Sequence, residues 1–303
     1  MRICSFLPSA TEILFGLGLG DAVVGVTHEC DFPPEARQKR VVVGGRLPKG
    51  LSAGEIDRRV TDSMAGGESL YVVDALALSE LRPDLIITQD LCRVCAASPD
   101  DLGSALAALA SVPRTISLNP RTLDDIWNDI RAIGRVTERE SEAQRLAEEC
   151  RRRVETVEKT VAQAPARPRT LCLEWLDPPF IAGHWVPEMV AKAGGTDVLG
   201  KTGEPGYRAD WEVVLSSQPE VIVIMPCGYH LREAVEEFRG MSFPHRWNTL
   251  PAVCAGRVYA VDATSYFSRP GPRLAQGVEI LAAAIHPGIF TDAIPAEALA
   301  PLR

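Results

Sequence analysis

The chain has 303 residues, 46% of them hydrophobic and 24% charged, which suits about two soluble domains with cores of their own and excludes a disordered or fibrous chain. Its formal net charge of −8 excludes the basic footprint that nucleic acid or an anionic membrane surface requires. No apolar run approaches the roughly 18 residues of a membrane-spanning helix, so no membrane insertion is expected.

Eight cysteines are scattered along the sequence. Cys4 and Cys172 sit in apolar runs, where a thiol packs as a small hydrophobe, and such usage suits a reducing compartment. Met1-Arg2 leads straight into a short apolar run ending at Pro8, which leaves no room for a secretory apolar region. As written, the chain is expected in the cytoplasm; a start codon further upstream would place it in the periplasm or outside the cell. The basic run Arg151-Arg152-Arg153 lies among glutamates and reads as a solvated helix face.

Residues 2–7 form a candidate buried strand. Ser9-Ala10-Thr11-Glu12 has the form of a capping box, with Ser9 as N-cap of a helix that Gly18 and Gly20 stop. Residues 23–26, 85–88 and 115–118 read as further strands. A second alternating block opens near Arg169, with a strand at 170–174, a helix at 186–193 closed by Gly194-Gly195, and strands at 221–225 and 258–261. An amphipathic helix at 274–285 stops before Pro287, and the last 16 residues read as a surface tail. Strands alternating with helices predict parallel sheets.

Between the blocks, Ala143, Leu146, Cys150, Val154, Val157 and Val161 recur at helical spacing. They predict a helix over 138–161, about 36 Å long at 1.5 Å per residue, opened by Thr137 and Glu140 as a second capping box. The expected organisation is an N-terminal α/β lobe over 1–120, a helical linker with this long helix over 121–165, and a C-terminal α/β lobe over 166–303. The fold class is α/β: two Rossmann-like lobes bridged by one long α-helix, with a ligand cleft between the lobes. Motifs also repeat in order. Leu81-Arg82-Pro83-Asp84-Leu85 matches Ser217-Gln218-Pro219-Glu220-Val221, and Gly18-Leu19-Gly20-Asp21 matches Gly194-Gly195-Thr196-Asp197. The two blocks therefore read as versions of one α/β unit, the first carrying an extra Gly- and Ser-rich stretch over 44–71.

Ligand sites of open α/β sheets lie beyond the carboxyl ends of the strands. The loops there carry Ser9 at a helix N-terminus, then His28-Glu29-Cys30-Asp31, then Gln89 and the residues up to Cys95. In the second block they run from Trp175 to Phe180, from Pro226 to His230 and from Thr264 to Arg269. Trp175, Phe180, Tyr229, Tyr266 and Phe267 concentrate aromatic rings in these loops, which suits a large, flat, weakly charged ligand; rings can equally staple loops to a core. The single C-x-x-C, Cys92 to Cys95, falls short of the four ligands of a structural zinc site. His28 is the candidate axial ligand to a bound metal centre, since neutral imidazole suits cobalt or iron. The nucleophile-elbow, P-loop and H-E-x-x-H templates are absent, so no catalytic residue is assigned and the chain is read as a binding protein, not an enzyme.

The stretch Ser5-Phe6-Leu7-Pro8-Ser9-Ala10-Thr11-Glu12-Ile13-Leu14 resembles the opening strand and helix of class III periplasmic binding proteins, as do Asp31-Phe32-Pro33-Pro34-Glu35 and Leu81-Arg82-Pro83-Asp84-Leu85-Ile86. Asp177-Pro178-Pro179-Phe180 and Tyr266-Phe267-Ser268-Arg269-Pro270-Gly271-Pro272-Arg273 resemble, more narrowly, the vitamin B12-binding proteins of the cobalamin importer. The resemblance covers nearly the whole chain. It implies cobalamin as the bound ligand, held by Phe180, Tyr266, Phe267 and Arg269, with His28 and Glu29 in the loop that faces the corrin. Gln89 stands where the transporter-linked member has an aromatic residue. For docking to an ABC permease, Glu212 matches the second-lobe glutamate, while the first-lobe position falls at Leu76, two residues after Asp74.

The expected function is non-catalytic binding of cobalamin or a related corrinoid, either as a transporter-type substrate-binding protein or as a cytoplasmic carrier or sensor. The alternatives are an iron-siderophore or haem carrier, for which Arg269 and Arg93 are the cationic groups in view, and a corrinoid or redox enzyme using Cys92 and Cys95.

Overall fold

A computed structural model describes residues 1–48, 50–90, 103, 111–289 and 294–302. The chain divides into two units, Met1–Pro120 with Asn128–Ala147, and Arg121–Trp127 with Glu148–Arg303. Each unit holds one sheet, so the α/β class read from strand–helix alternation is the class observed.

The first unit contains β1 (Ile3–Ser5), α1 (Pro8–Gly16), β2 (Val23–Thr27), β3 (Arg40–Gly45), α2 (Ala53–Gly66), β4 (Tyr71–Val73), α3 (Ala75–Leu81), β5 (Leu85–Gln89) and β6 (Arg114–Leu118). The sheet order is β4-β3-β2-β1-β5-β6. All neighbours are parallel except β3 and β4, which pair antiparallel. Strands β1 and β5 are buried end to end, as a sheet covered on both faces demands. The stretch over 44–71 is structured: it contains α2, which Ser52 and Glu55 open with a capping box, and it leads to the edge strand β4.

Helix α1 begins earlier than the Ser9 capping box predicts. Pro8 occupies the first helical position and Leu7 is the N-cap. Proline has no N–H to leave unpaired and its φ suits the first turn, so it displaces the hydroxyl cap. Ser9 and Glu12 are buried within the helix. The polar residues around the motif form an internal network instead. Thr11 Oγ1 donates to Ser5 Oγ at 2.8 Å and lies 3.1 Å from Cys30 Sγ, which fastens the loop after β2 to the start of α1.

Two helices follow, α4 (Leu123–Val136) and α5 (Glu140–Val161). The division between the units falls inside both. Thr137 does not cap α5. Its hydroxyl donates back to Ile133 O of α4 at 2.7 Å, and Glu138 makes the turn in the left-handed region at φ 58°. Gly134 lets α4 and α5 meet, since a Cβ there would lie 2.3 Å from Ala143 Cβ. Helix α5 is amphipathic, and among the described residues no helix is long and apolar enough to cross a membrane.

The second unit contains β7 (Arg169–Leu176), β8 (Pro179–Ile181), α6 (Val186–Lys192), β9 (Thr196–Asp197), β10 (Tyr207–Arg208), α7 (Trp211–Ser216), β11 (Val221–Ile224), α8 (Leu231–Gly240), α9 (Pro251–Cys254), β12 (Val258–Val261), α10 (Ala263–Tyr266), α11 (Leu274–Ile285) and β13 (Leu299–Pro301). Its order is β10-β8-β7-β11-β12-β13, with β9 against the start of β7. The expected surface tail instead adds β13, an antiparallel edge beside β12. The expected loop from Trp175 to Phe180 is the turn of a β7–β8 hairpin in which those two residues sit opposite one another.

The repeat holds at the level of topology. The run β2-β1-β5-β6 is matched by β9-β7-β11-β12, each parallel throughout. It also holds atom by atom. Arg82 and Gln218 both adopt left-handed φ, at 44° and 45°. The Arg2 N–H donates to Asp84 Oδ2 at 2.7 Å, and the Arg169 N–H to Glu220 Oε2 at 2.8 Å. The same two arginines reach the preceding helix ends, Arg2 Nε to Leu81 O at 2.6 Å and Arg169 Nη2 to Ser217 O at 2.6 Å. Asp84→Ala and Glu220→Ala are each expected to lower stability by about 1 kcal/mol, the worth of one such hydrogen bond. Urea midpoints test this, and variants unfolding with the parent would make the two clips spectators.

Candidate functional site

In the first unit, His28 and Glu29 follow β2 and are exposed. The His28 ring is fastened to β3: its Nδ1 lies 3.3 Å from Val43 O, and its Nε2 faces the end of that strand, 2.9 Å from where a Gly45 Cβ would stand. Nε2 is also 3.9 Å from Glu29 Oε1. Ser9 is buried in α1, and Gln89 is buried at the end of β5, opposite Leu118. Just beyond, the Asp90 N–H donates to Asn119 Oδ1 at 2.7 Å. Cys92, Arg93 and Cys95 lie outside the described residues.

In the second unit the carboxyl ends of β7, β11 and β12 bring three loops together. Met225 and Cys227 donate to Leu173 and Glu174 carbonyls, and the Thr264 N–H donates to Tyr229 O at 3.1 Å. Trp175 and Tyr229 pack edge to face with centroids 5.5 Å apart, both half-buried, and Phe180 lies across the hairpin from Trp175. Among the described residues, Trp175 Nε1 and Thr264 Oγ1 are buried with no hydrogen-bond partner. Buried polar groups are normally paired, so this edge of the sheet holds hydrogen-bonding capacity in reserve.

Charge at this edge is uneven. Burial pushes the Tyr229 phenol up to about 12, with Glu237 and Glu233 adding to the rise. Burial also raises the Glu237 carboxyl, and Asp177 raises it further. The ordinary phenol value is 10.0, so the unfolded chain gives up this proton first. The stability that neutral Tyr229 contributes is complete below about pH 10 and is lost as pH rises through about 12. A spectrophotometric titration of Tyr229→Phe is expected to lose one phenolate step near pH 12; an unchanged late step would contradict this placement.

The remaining aromatic candidates separate. Tyr266 is half-buried beneath Arg273, whose guanidinium carbon lies 5.7 Å from the ring centroid. Phe267, expected on the ligand surface, is 2% exposed. It serves the core, unlike its half-buried neighbour Tyr266, and its carbonyl accepts from Trp185 Nε1 at 2.8 Å. Arg269 is partly exposed two residues on. Cys4 and Cys150 are buried thiols raised to about 12 by burial, which fits packing and not reactivity.

His230 and Asp262 carry no role in the sequence reading, although the loop ending at His230 does. His230 Nδ1 lies 3.1 and 3.0 Å from the two Asp262 oxygens. The only local signal for Asp262 is an acidic residue directly after a strand, where it caps α10 by accepting the Ser265 N–H at 2.8 Å. Glu212, the expected docking residue, is exposed on α7 but already paired with Arg246 Nη1 at 2.5 Å. Asp74 caps α3 through the Ala77 N–H, and Leu76 stands 72% exposed beside it.

Comparison with known proteins defines the class. The chain belongs to the periplasmic binding protein family, whose model matches residues 3–264. A vitamin B12-binding protein of Vibrio cholerae serotype O1 is 27% identical over 286 residues, covering 92% of this chain and 86% of that one. The crystal structure of a periplasmic vitamin B12-binding protein of Vibrio cholerae superposes with a TM-score of 0.68 at 24% identity, covering 94% of this chain and 96% of that one. A periplasmic haem-binding protein from Roseiflexus sp. RS-1 gives the same TM-score, 0.68, at 25% identity, covering 94% and 97%. The fold is therefore that of a solute-binding protein, and the family is one of binding proteins.

Proposed function

We propose that the chain binds cobalamin or a related corrinoid without transforming it. It would act either as the substrate-binding subunit of an ABC-type transporter or as a cytoplasmic carrier. The observation that carries the reading is the Trp175–Tyr229 pair at the ends of β7 and β11, with Phe180 across the hairpin. Paired rings suit the broad face of a macrocycle. The likeness to vitamin B12-binding relatives over 92% of the chain supports the corrin over other rings. The acidic residues around Tyr229 oppose an anionic iron chelate, which wants several cations.

Haem is the second reading, supported by the haem-binding neighbour of equal TM-score. On either reading a permease arginine at Glu212 would share the carboxylate with Arg246 or displace it.

The test is an absorbance titration of the purified chain with hydroxocobalamin, haemin and a ferric siderophore in parallel, with Tyr229→Ala alongside. Saturation near 1:1 by hydroxocobalamin, weakened about tenfold or more in the variant, is the expected result. Saturation by haemin alone would replace the corrinoid reading, and saturation by the siderophore alone would overturn the aromatic-face argument.

A further inference from the structure

We propose that His184 and Arg121 form a site for an oxyanion, a sulfate- or phosphate-type group of the kind presented by a free ion and by the phosphodiester of a cobalamin. The site stands on its own residues; only the second source rests on the corrinoid reading above.

Both residues belong to the second unit. Arg121 precedes α4 and His184 follows β8. One short segment brings them together. The Gly203 N–H donates to His184 O at 2.9 Å, and a Cβ on Gly203 would stand 4.0 Å from Thr122 Cγ2. The Leu123 N–H reaches the same corner from α4 and donates to Glu188 Oε2 of α6 at 2.9 Å.

His184 is held in the left-handed region, with φ at 51°. Both of its peptide groups are pinned there: its N–H donates to Glu204 O at 2.6 Å, and its carbonyl accepts from Gly203. Gly183 before it has no room for a side chain, since a Cβ would lie 2.2 Å from Gly206 N. From Ile181 to Pro187 every residue is buried except His184, whose half-buried ring stacks on Trp185 with centroids 5.7 Å apart. Left-handed residues fixed this firmly gather at binding sites, where the surroundings over-determine them.

The protein itself answers neither polar group. Among the described residues neither ring nitrogen of His184 makes a hydrogen bond, and the exposed Arg121 guanidinium makes no ion pair. The carboxylates of this corner are engaged elsewhere. Asp125 accepts the Arg121 and Thr122 N–H groups, Glu188 accepts from Leu123, and Glu204 Oε2 lies 3.5 Å from Lys201 Nζ. Burial lowers the His184 pKa, and Arg121 is the charge that acts on the ring, lowering it further. A half-buried imidazole beside such a cation is complementary to an anion. The guanidinium supplies charge and a planar fork of donors, and the imidazole supplies an N–H and takes up a proton as the anion arrives.

The test follows the His184 imidazole by 15N nuclear magnetic resonance through a pH titration of the whole chain. Sodium sulfate is the probe, and sodium chloride at equal ionic strength is the control. Sulfate keeps its charge across the range, so only the protein titrates. In chloride the ring is expected to titrate below its ordinary 6.5. Saturating sulfate is expected to raise that midpoint by about one pH unit, the mark of tenfold tighter binding to the protonated ring. Arg121 is exposed, so Arg121→Ala leaves the core intact. This variant is expected to raise the midpoint in chloride and to abolish the response to sulfate. A sulfate response no larger than that of chloride, or one that persists in Arg121→Ala, would overturn the site. Hydroxocobalamin and cobinamide, which lacks the phosphodiester, separate the two sources. Cobalamin binding weakened about tenfold in Arg121→Ala, with cobinamide unchanged, assigns the site to the bound ligand. Both corrinoids unchanged in the variant, with the sulfate response present in the parent, assigns it to a free ion. If no corrinoid binds, the corrinoid reading falls and the sulfate arm alone decides the site.

Discussion

Alanine in place of Gly277 is expected to destabilise the second unit by about 3 kcal/mol, the upper range for forcing extra volume into a packed interior. A Cβ there would stand 2.2 Å from the Tyr266 carbonyl oxygen and 2.7 Å from Met189 Cε. The methionine can swing away, but the carbonyl belongs to the last turn of α10 and can move only with it. The loss therefore falls on the segment that presents Tyr266 and Arg269, and ligand affinity is expected to drop with stability. All five tryptophans lie in the second unit, so their fluorescence reports its unfolding directly. Gly240→Ala is the control, since no atom lies within 4 Å of its added carbon. A Gly277→Ala protein with the parent's urea midpoint would show that α10 yields freely.

Trp185→Ala is expected to cost about 3–5 kcal/mol, as removal of a buried tryptophan does. The indole is 7% exposed and stacks on His184, centroids 5.7 Å apart. Its N–H holds the Phe267 carbonyl at 2.8 Å, so it ties the start of α6 to the end of α10. Trp185→Phe separates the two contributions. It keeps most of the bulk and leaves the carbonyl without its donor, for an expected cost of about 1–3 kcal/mol. If the two variants unfold together, the hydrogen bond and not the packing dominates.

The repeating frame was legible because its signals are local. An x-Pro-acid step before an apolar run fixes a left-handed residue, a buried proline and a strand start, at Arg82-Pro83-Asp84 and again at Gln218-Pro219-Glu220. Strands β3 and β4 were less legible, since glycines and serines surround them and β4 is held by its antiparallel partner. Strand β13 likewise owes its conformation to β12. The Ser5-to-Leu14 resemblance marks architecture: its Ser5 and Thr11 are spent on the Cys30 network.

Site residues were legible by location more than by role. Tyr266 and Phe267 are neighbours of one type, yet one is half-buried beneath an arginine and the other closes a core, a split decided by the end of α10. His28 and His230 look alike in the sequence, each in a loop just past a strand. What separates them is Asp262, 32 residues from His230, a distance no local pattern spans.

The twin frame has a consequence for how such a protein could arise. Asn119 stands directly after β6 and Asp262 directly after β12, matching places in the two copies, and each reaches back to the loop of the strand beside it. One carries an amide, the other a carboxylate. Two identical subunits would have to change both places at once. Fused into a single gene, each copy mutates alone, so one can acquire an acid–imidazole couple while its sibling keeps a neutral amide.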